Sequence, residues 1–133
     1  MKFNILFLIL LLASTTACSD CKNIAGKYTT HGGSEYVTYL NLLKDNKFTL
    51  KHESWQPGNY NKKEIINNKG SWSCSNNQLV ILSKNLTLKS EYLDIGENPL
   101  GINSKTKVIH FKSNDINHYL NNQILYPISV LNN

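Results

Sequence analysis

Two runs of alternating side chains, separated by a short turn, constrain the fold of this chain more than any other feature. In the first run, Glu35–Leu43, every second side chain from Tyr36 to Leu42 falls on one face. The second run, Phe48–His52, alternates apolar and polar side chains in the same way. The residues between them, 44–47, have the composition of a hairpin turn. The pattern predicts an antiparallel β-hairpin.

Other short runs along the chain also have the composition of strands. They are residues 62–67 leading through a glycine into 71–74, then 78–82, 86–88, 91–93, 107–111 and 124–126. No segment keeps a helical period, although residues 115–120 have room for a single helical turn, and no repeat or second domain is apparent. The sequence therefore predicts one all-β domain over residues 26–133.

The N-terminal region has the features of a secretion signal. Lys2 is followed by an apolar run, 3–13, that is too short to span a bilayer, then by small residues up to Ala17 and by Cys18. This region resembles the lipobox of bacterial lipoproteins, in which the cysteine receives a diacylglyceryl group and the preceding peptide is removed. Thr15 departs from the leucine that is usual there, so an ordinary secretory peptide cut after Ala17 is the alternative.

The resemblance to a lipobox implies a location. It predicts a signal peptide over residues 1–17 and a lipidated tether over residues 18–25, with palmitate among the acyl chains on Cys18. Each buried CH₂ of these chains contributes about 0.8 kcal/mol, and several chains together make a stable membrane anchor. In lipoprotein sorting, an aspartate after the cysteine favours retention in the inner membrane, and this chain has Ser19. We therefore expect the protein on the outer membrane, facing the periplasm.

Three cysteines occur in the chain, and two of them, Cys18 and Cys21, have C-x-x-C spacing. If Cys18 is acylated through its sulfur, it cannot belong to a redox pair. Cys21 and Cys74 then remain in an oxidising compartment, where two thiols usually form a disulfide. Metal binding by these two cysteines is the alternative, although no second pair of ligands accompanies them. We expect a disulfide between Cys21 and Cys74.

A pattern of glycines and aromatic residues resembles a known family. It consists of G-K-Y (26–28), Y-x-x-x-L-x-L-x-x-D-x-x-F-x-L (36–50), G-x-W (70–72) and N-x-L-x-I (77–81). This is similar to small lipocalin-like lipoproteins of Gram-negative bacteria, including the N-terminal barrel of the copper-stress lipoprotein family. The resemblance implies an all-β, antiparallel, up-and-down β-barrel or half-barrel. That family has a C-x-x-C inside its barrel and this chain does not, so copper sensing is not expected.

Several classes of function are disfavoured by the composition. The formal net charge is +5, but all 14 basic residues are lysines, and without arginine a nucleic-acid partner is not expected. The four histidines are far apart in the sequence and lack the spacing of a metal site. The segment His31–Ser34 lacks the sequence of a nucleophile elbow. We therefore predict no catalytic residue, no metal and no cofactor, and we do not expect an enzyme.

The binding residues that the sequence suggests are Trp55 and Tyr60. They flank the turn signal Pro57–Gly58 in a segment that we interpret as an exposed loop, residues 54–60. We expect this lipoprotein to bind either a small apolar ligand inside the barrel or a protein partner on the barrel rim. One alternative is an immunity or inhibitor protein that neutralises a toxin or a cell-wall hydrolase, and another is a structural lipoprotein of envelope stress that has no ligand. A continuous apolar interior would favour carriage of a ligand, whereas a filled barrel with an exposed aromatic loop would favour a protein partner.

Overall fold

A computed structural model describes residues 21–31, 33, 35–94, 105–112 and 119–131 of the chain. In this part of the chain, eight antiparallel strands follow one another around a closed barrel, and β1 pairs with β8 to complete it. The strands are β1 Gly26–Thr29, β2 Tyr36–Leu42, β3 Lys47–Gln56, β4 Asn59–Ser75, β5 Gln78–Ser83, β6 Leu86–Asp94, β7 Lys107–His110 and β8 Ile124–Pro127. The prediction of an all-β, up-and-down barrel is confirmed.

The hairpin predicted from the two alternating runs is formed by β2 and β3. Its register pairs Leu42 with Phe48 and Leu40 with Leu50, so the alternating apolar side chains meet on the inner face. Thr38 continues that face and is fully buried, while Tyr36 at the upper end is exposed. The neighbouring β4 is one strand of 17 residues, where the sequence suggested two shorter ones. Likewise, β6 joins the two runs expected at 86–88 and 91–93.

Apolar side chains from the strands, and from two residues outside them, pack the interior of the barrel. The largest fully buried apolar side chains are Phe48, Leu40, Leu42, Leu50, Leu79, Ile81, Ile109 and Leu125 of the strands, with Phe111 and Leu120 outside them. Most belong to one continuous cluster that Tyr28 and Tyr92 complete. Burial of this apolar surface is the main favourable contribution to the stability of the barrel.

The lower end of the barrel, where β1 begins and β4 ends, is closed by the N-terminal segment. Cys21 is joined to Cys74 of β4 by a disulfide, with the two Cα atoms 6.0 Å apart. The segment 21–25, which we expected to belong to a tether, packs against the barrel: Ile24 is only 3 % exposed. The Tyr28 hydroxyl donates a hydrogen bond to the Ile24 carbonyl over 2.6 Å. Because burial raises the pKa of Tyr28, this hydroxyl keeps its proton.

A short helix, α1 Ile128–Leu131, follows β8 and lies outside the barrel. Leu131 packs there against Val108 and Tyr126, which form a small second apolar cluster. Among the described residues, no helix is long and apolar enough to cross a membrane.

Two of our predictions fall outside the described part of the chain, wholly or in part. They are the signal peptide with the anchor Cys18, and the helical turn over most of 115–120, where one of the four histidines also lies.

Candidate functional site

The candidate site is the upper part of the β3–β4 hairpin, residues 54–66, which we call the hairpin tip. Its turn consists of Pro57 and Gly58, and Gly58 has a φ of 76°, as the third residue of a type II turn requires. Type II turns twist against the right-handed twist of paired strands. The register accordingly shifts between Trp55 and Gln56, just inside the turn.

The prediction that residues 54–60 form a loop is therefore wrong. Trp55 lies on β3, opposite Lys63, and Tyr60 lies on β4. Only Pro57 and Gly58 are left between the strands. The strands continue to this turn because side-chain pairs across the hairpin support them where the core does not reach. The binding role of Trp55 and Tyr60 stays a prediction.

The hairpin tip exposes an unusual amount of apolar surface. Residues 59–67 of β4 are all exposed. The exposed fractions are 63 % for Tyr60, 50 % for Ile65 and 38 % for Ile66, and Tyr36, which pairs with Ser54, is 39 % exposed. Ile65 pairs with Glu53 and Ile66 with His52, so the two isoleucines lie on opposite faces of the hairpin. Exposed apolar side chains on both faces of one hairpin end mark a candidate interaction site.

Only one side of β4 is paired over most of this region. β4 pairs with β5 from Ser71 onwards, and among the described residues no strand lies beside Asn59–Gly70 on that side. An exposed strand edge invites pairing with another chain, and lysines are a common defence against it. Lys62, Lys63 and Lys69 lie along this stretch. We therefore do not expect the edge itself to be the contact surface.

A buried carboxylate holds the base of the hairpin tip. Glu53 is only 7 % exposed. Its two oxygens lie 2.6 Å from the Lys51 Nζ and 2.7 Å from the Lys63 Nζ. The hydrogen bond from Lys51, followed by that from Lys63, lowers the pKa of the Glu53 carboxyl group. Lys63 also lies over the ring of Trp55, 5.3 Å from its centroid. These contacts tie Trp55 to both strands of the hairpin.

A groove of about 500 Å³ runs across the outer face of the first four strands, below the hairpin tip. One row of paired residues, from β1 to β4, lines it: Lys27, Asn41, Thr49 and Lys69. Tyr39, Lys51 and Asn67 from the next row complete the polar lining, with Ile128 of α1 at the side. No carboxylate of the described residues lines the groove, and Lys27 and Lys69 give it a positive charge that suits acidic groups on a partner.

The upper end of the barrel interior contains a hydrogen-bonded polar cluster. The Thr38 hydroxyl donates to the Gln123 Oε1 over 2.7 Å and lies 2.8 Å from the His52 Nδ1. The Gln123 Nε2 donates to the Tyr119 carbonyl over 2.5 Å, which fixes the orientation of the amide. Because the hydroxyl has only one proton and Oε1 can only accept, the His52 Nδ1 must be the donor to Thr38.

This cluster has the residue types of a nucleophile and a base but the wrong direction of hydrogen bonding. A base that activates a hydroxyl must accept its proton, and here the imidazole donates to the hydroxyl. Thr38 is 0 % and His52 4 % exposed, so neither meets a substrate at the surface. The cluster links β2, β3 and the residues before β8, and we assign it a structural role.

Other kinds of site are not evident in the part of the chain that the structure describes. It holds no group of three or more histidine, cysteine or acidic side chains placed to bind a metal ion. Comparison with protein families, curated proteins and solved structures finds no match for this chain. The geometry of the hairpin tip and the groove is therefore the basis for assigning a function.

Part of this site is predictable from the sequence. Trp55 and Tyr60 do lie on the same hairpin, although in strands. Ile65, Ile66 and the ion pairs of Glu53 were missed. The Lys51-x-Glu53 spacing puts these two side chains on one face of a strand, and this was the one signal available for the ion pairs.

Proposed function

We propose that this chain is an outer-membrane lipoprotein, anchored through Cys18 and facing the periplasm, that captures a protein partner with its hairpin tip. Support for secretion comes from the apolar run 3–13 and from the disulfide between Cys21 and Cys74, a bond typical of oxidising compartments. The observation that carries the binding function is the exposure of Tyr60, Ile65 and Ile66, which places apolar side chains on both faces of the hairpin tip.

The filled interior favours a partner outside the barrel over a small apolar ligand inside it. Carriers of apolar ligands need a cavity, and pockets for drug-sized molecules usually measure about 300–1,000 Å³. Here the inward side chains of the barrel form a continuous core. A groove of comparable volume lies on the outer face instead. Lysines line it, so it suits acidic groups on the same protein partner.

An immunity or inhibitor protein is the second candidate, and the Glu53 ion pairs favour it. A protruding hairpin held in one conformation loses little entropy when it enters the cleft of an enzyme. Glu53 and Trp55 on β3 both contact Lys63 on β4, and these contacts keep the two strands of the hairpin in one conformation. Under this proposal, the captured partner is a toxin or a cell-wall hydrolase, and the purified protein inhibits it.

Capture of the partner by purified variants tests the binding function. Buried aromatic anchors can each contribute about 2 kcal/mol or more to an interface, which corresponds to about thirtyfold in affinity. Trp55→Ala is expected to weaken capture from an envelope extract by that factor, and to lower the stability of the barrel by about 1–2 kcal/mol, since the ring is half-buried and also lies over Lys63.

Leu82→Ala is the matched control for this experiment. Leu82 is 45 % exposed on β5, outside the hairpin tip, and its replacement is expected to leave capture unchanged. Equal capture by wild type and Trp55→Ala would contradict the proposal, as would a wild type that captures nothing. Entry of a lipophilic probe into the barrel, together with no capture, would instead support ligand carriage.

A further inference from the structure

The lower end of the barrel is firmly connected to the position where the anchor is proposed. Cys21 is bound covalently to Cys74 of β4, and Ile24 is packed in the core. The Ile24 amide also donates to the Cys21 carbonyl over 3.3 Å. The first described residue of the chain is thus part of the rigid barrel and is only three positions after Cys18.

The length of the connection limits how far this end can lie from the membrane. A chain spans at most about 3.3–3.6 Å per residue, so three residues reach about 10 Å. An acylated Cys18 lies at the membrane surface, and the disulfide end of the barrel must lie within that distance of it. A barrel anchored in this way has little freedom to turn its other end towards the lipid.

The side chains around Cys21 suit a position at the lipid headgroups. Trp72 lies on β4 with its ring partly buried against the core, and its indole Nε1 donates to the Leu43 carbonyl over 2.9 Å. Leu43 itself is 39 % exposed. Trp72 and Lys44 line a shallow cavity together with Cys21. Tryptophan favours the interface between water and hydrocarbon, and lysine places an apolar stem in it with the charge in the headgroup region.

The carboxylates Asp45 and Asp94, near this end of the barrel, each pair with a lysine, which leaves other lysines to face an anionic lipid surface. Lys22 and Lys44 are exposed, and neither takes part in an ion pair with any described residue. Lysines close to a membrane are attracted to anionic headgroups.

The hairpin tip is at the other end of β4. The cross-strand neighbour of Trp55 is Lys63, which is nine residues from Trp72 along this strand. Nine strand residues span about 30 Å.

We infer that the disulfide end of the barrel rests on the lipid surface, with Trp72 at the level of the headgroups and the hairpin tip directed away from the membrane. This inference rests on the anchor at Cys18 that is part of the proposed function. It adds an orientation and a second contact surface, formed by Leu43, Lys44 and Trp72. The partner of this surface is an anionic lipid bilayer.

The two tryptophans of the chain make the orientation directly measurable. Trp55 and Trp72 are its only tryptophans, so Trp55→Phe reports on Trp72 alone and Trp72→Phe reports on Trp55 alone. The processed protein is purified from membranes and placed in anionic vesicles whose lipids carry bromine near the headgroup, a short-range quencher of tryptophan. The emission of Trp72 is expected to fall relative to vesicles without bromine, and that of Trp55 to stay unchanged.

Two results would overturn the inference and are distinguishable. Palmitate-analogue labelling, with Cys18→Ser as the control, shows whether the chain is anchored at this residue. If the wild type is unlabelled, or the label survives Cys18→Ser, the anchor fails and the orientation fails with it. If labelling depends on Cys18 but the two tryptophans are quenched equally, the orientation alone is wrong. If Trp72→Phe does not fold, the quenching of Trp55 is obtained by subtracting the emission of Trp55→Phe from that of wild type.

Discussion

Gly70 lies at the point where β4 leaves β3 and begins to pair with β5. A Cβ atom on this residue would lie 1.9 Å from the Leu82 carbonyl oxygen and 2.9 Å from the carbonyl carbon. Both are backbone atoms of β5, so no side-chain rotation relieves the clash. The missing side chain lets the two strands approach where Ser71 pairs with Leu82, and thus helps to close the barrel.

Replacement of Gly70 by alanine is therefore expected to be strongly destabilising. The two strands must separate to accept the methyl group, and overpacking of this kind costs about 3 kcal/mol. Denaturant-induced unfolding of Gly70→Ala measures the effect. Ser73→Ala is the control, because Ser73 is exposed on the same strand and its replacement is expected to change stability by less than about 0.5 kcal/mol. Equal stability of the two variants would refute this role for Gly70.

At the scale of an element, the β3–β4 hairpin shows what the sequence did and did not predict. The β2–β3 hairpin was predictable because Leu40, Leu42, Phe48 and Leu50 alternate into the core. The hairpin tip has no buried apolar face, so periodicity gives no signal there. Its strands are supported by the ion pairs of Glu53 with two lysines. One of these, Lys63, is ten residues from Glu53 along the chain, so local spacing does not reveal the pair. Trp55 and Tyr60 were placed correctly on either side of the turn, but pairing across it was not visible in the sequence.

The pH dependence of stability tests the role of Glu53 in this hairpin. Its pKa is lowered from the ordinary value of 4.5, so its ion pairs stabilise the folded protein above that pH and are lost as the pH falls through the lowered pKa. Glu53→Gln keeps the shape of the side chain without the charge. Wild type is expected to melt at a higher temperature than Glu53→Gln at pH 7, and the difference is expected to shrink below pH 4.5.

Glu64→Gln is the control for this measurement. Glu64 is exposed on β4 and takes part in no ion pair with the described residues. Its replacement is expected to leave both the melting temperature and its pH dependence close to those of wild type. A difference between wild type and Glu53→Gln that stays constant from pH 7 to pH 3 would show that the charge of Glu53 does not hold the hairpin.

At the scale of the whole molecule, the barrel separates two surfaces. The disulfide between Cys21 and Cys74 closes a loop with a sequence separation of 53, which by chain entropy is worth about 4 kcal/mol. It also fixes the proposed anchor to the lower end, beside Trp72. The hairpin tip with Tyr60 lies at the upper end. A filled barrel is well suited to hold these two surfaces apart, since its closed sheet and packed core leave little room to deform.

The central claim is that the hairpin tip contacts a protein partner in the envelope, and site-specific photocrosslinking tests it most directly. A photoreactive amino acid replaces Tyr60, which is 63 % exposed, or, as the control, Lys89, which is exposed on β6 away from the hairpin. After irradiation of intact cells, the protein with the probe at position 60 is expected to form a discrete adduct with one other protein, and the protein with the probe at position 89 is expected to form none. The absence of an adduct from position 60, or the same adducts from both positions, would contradict the account.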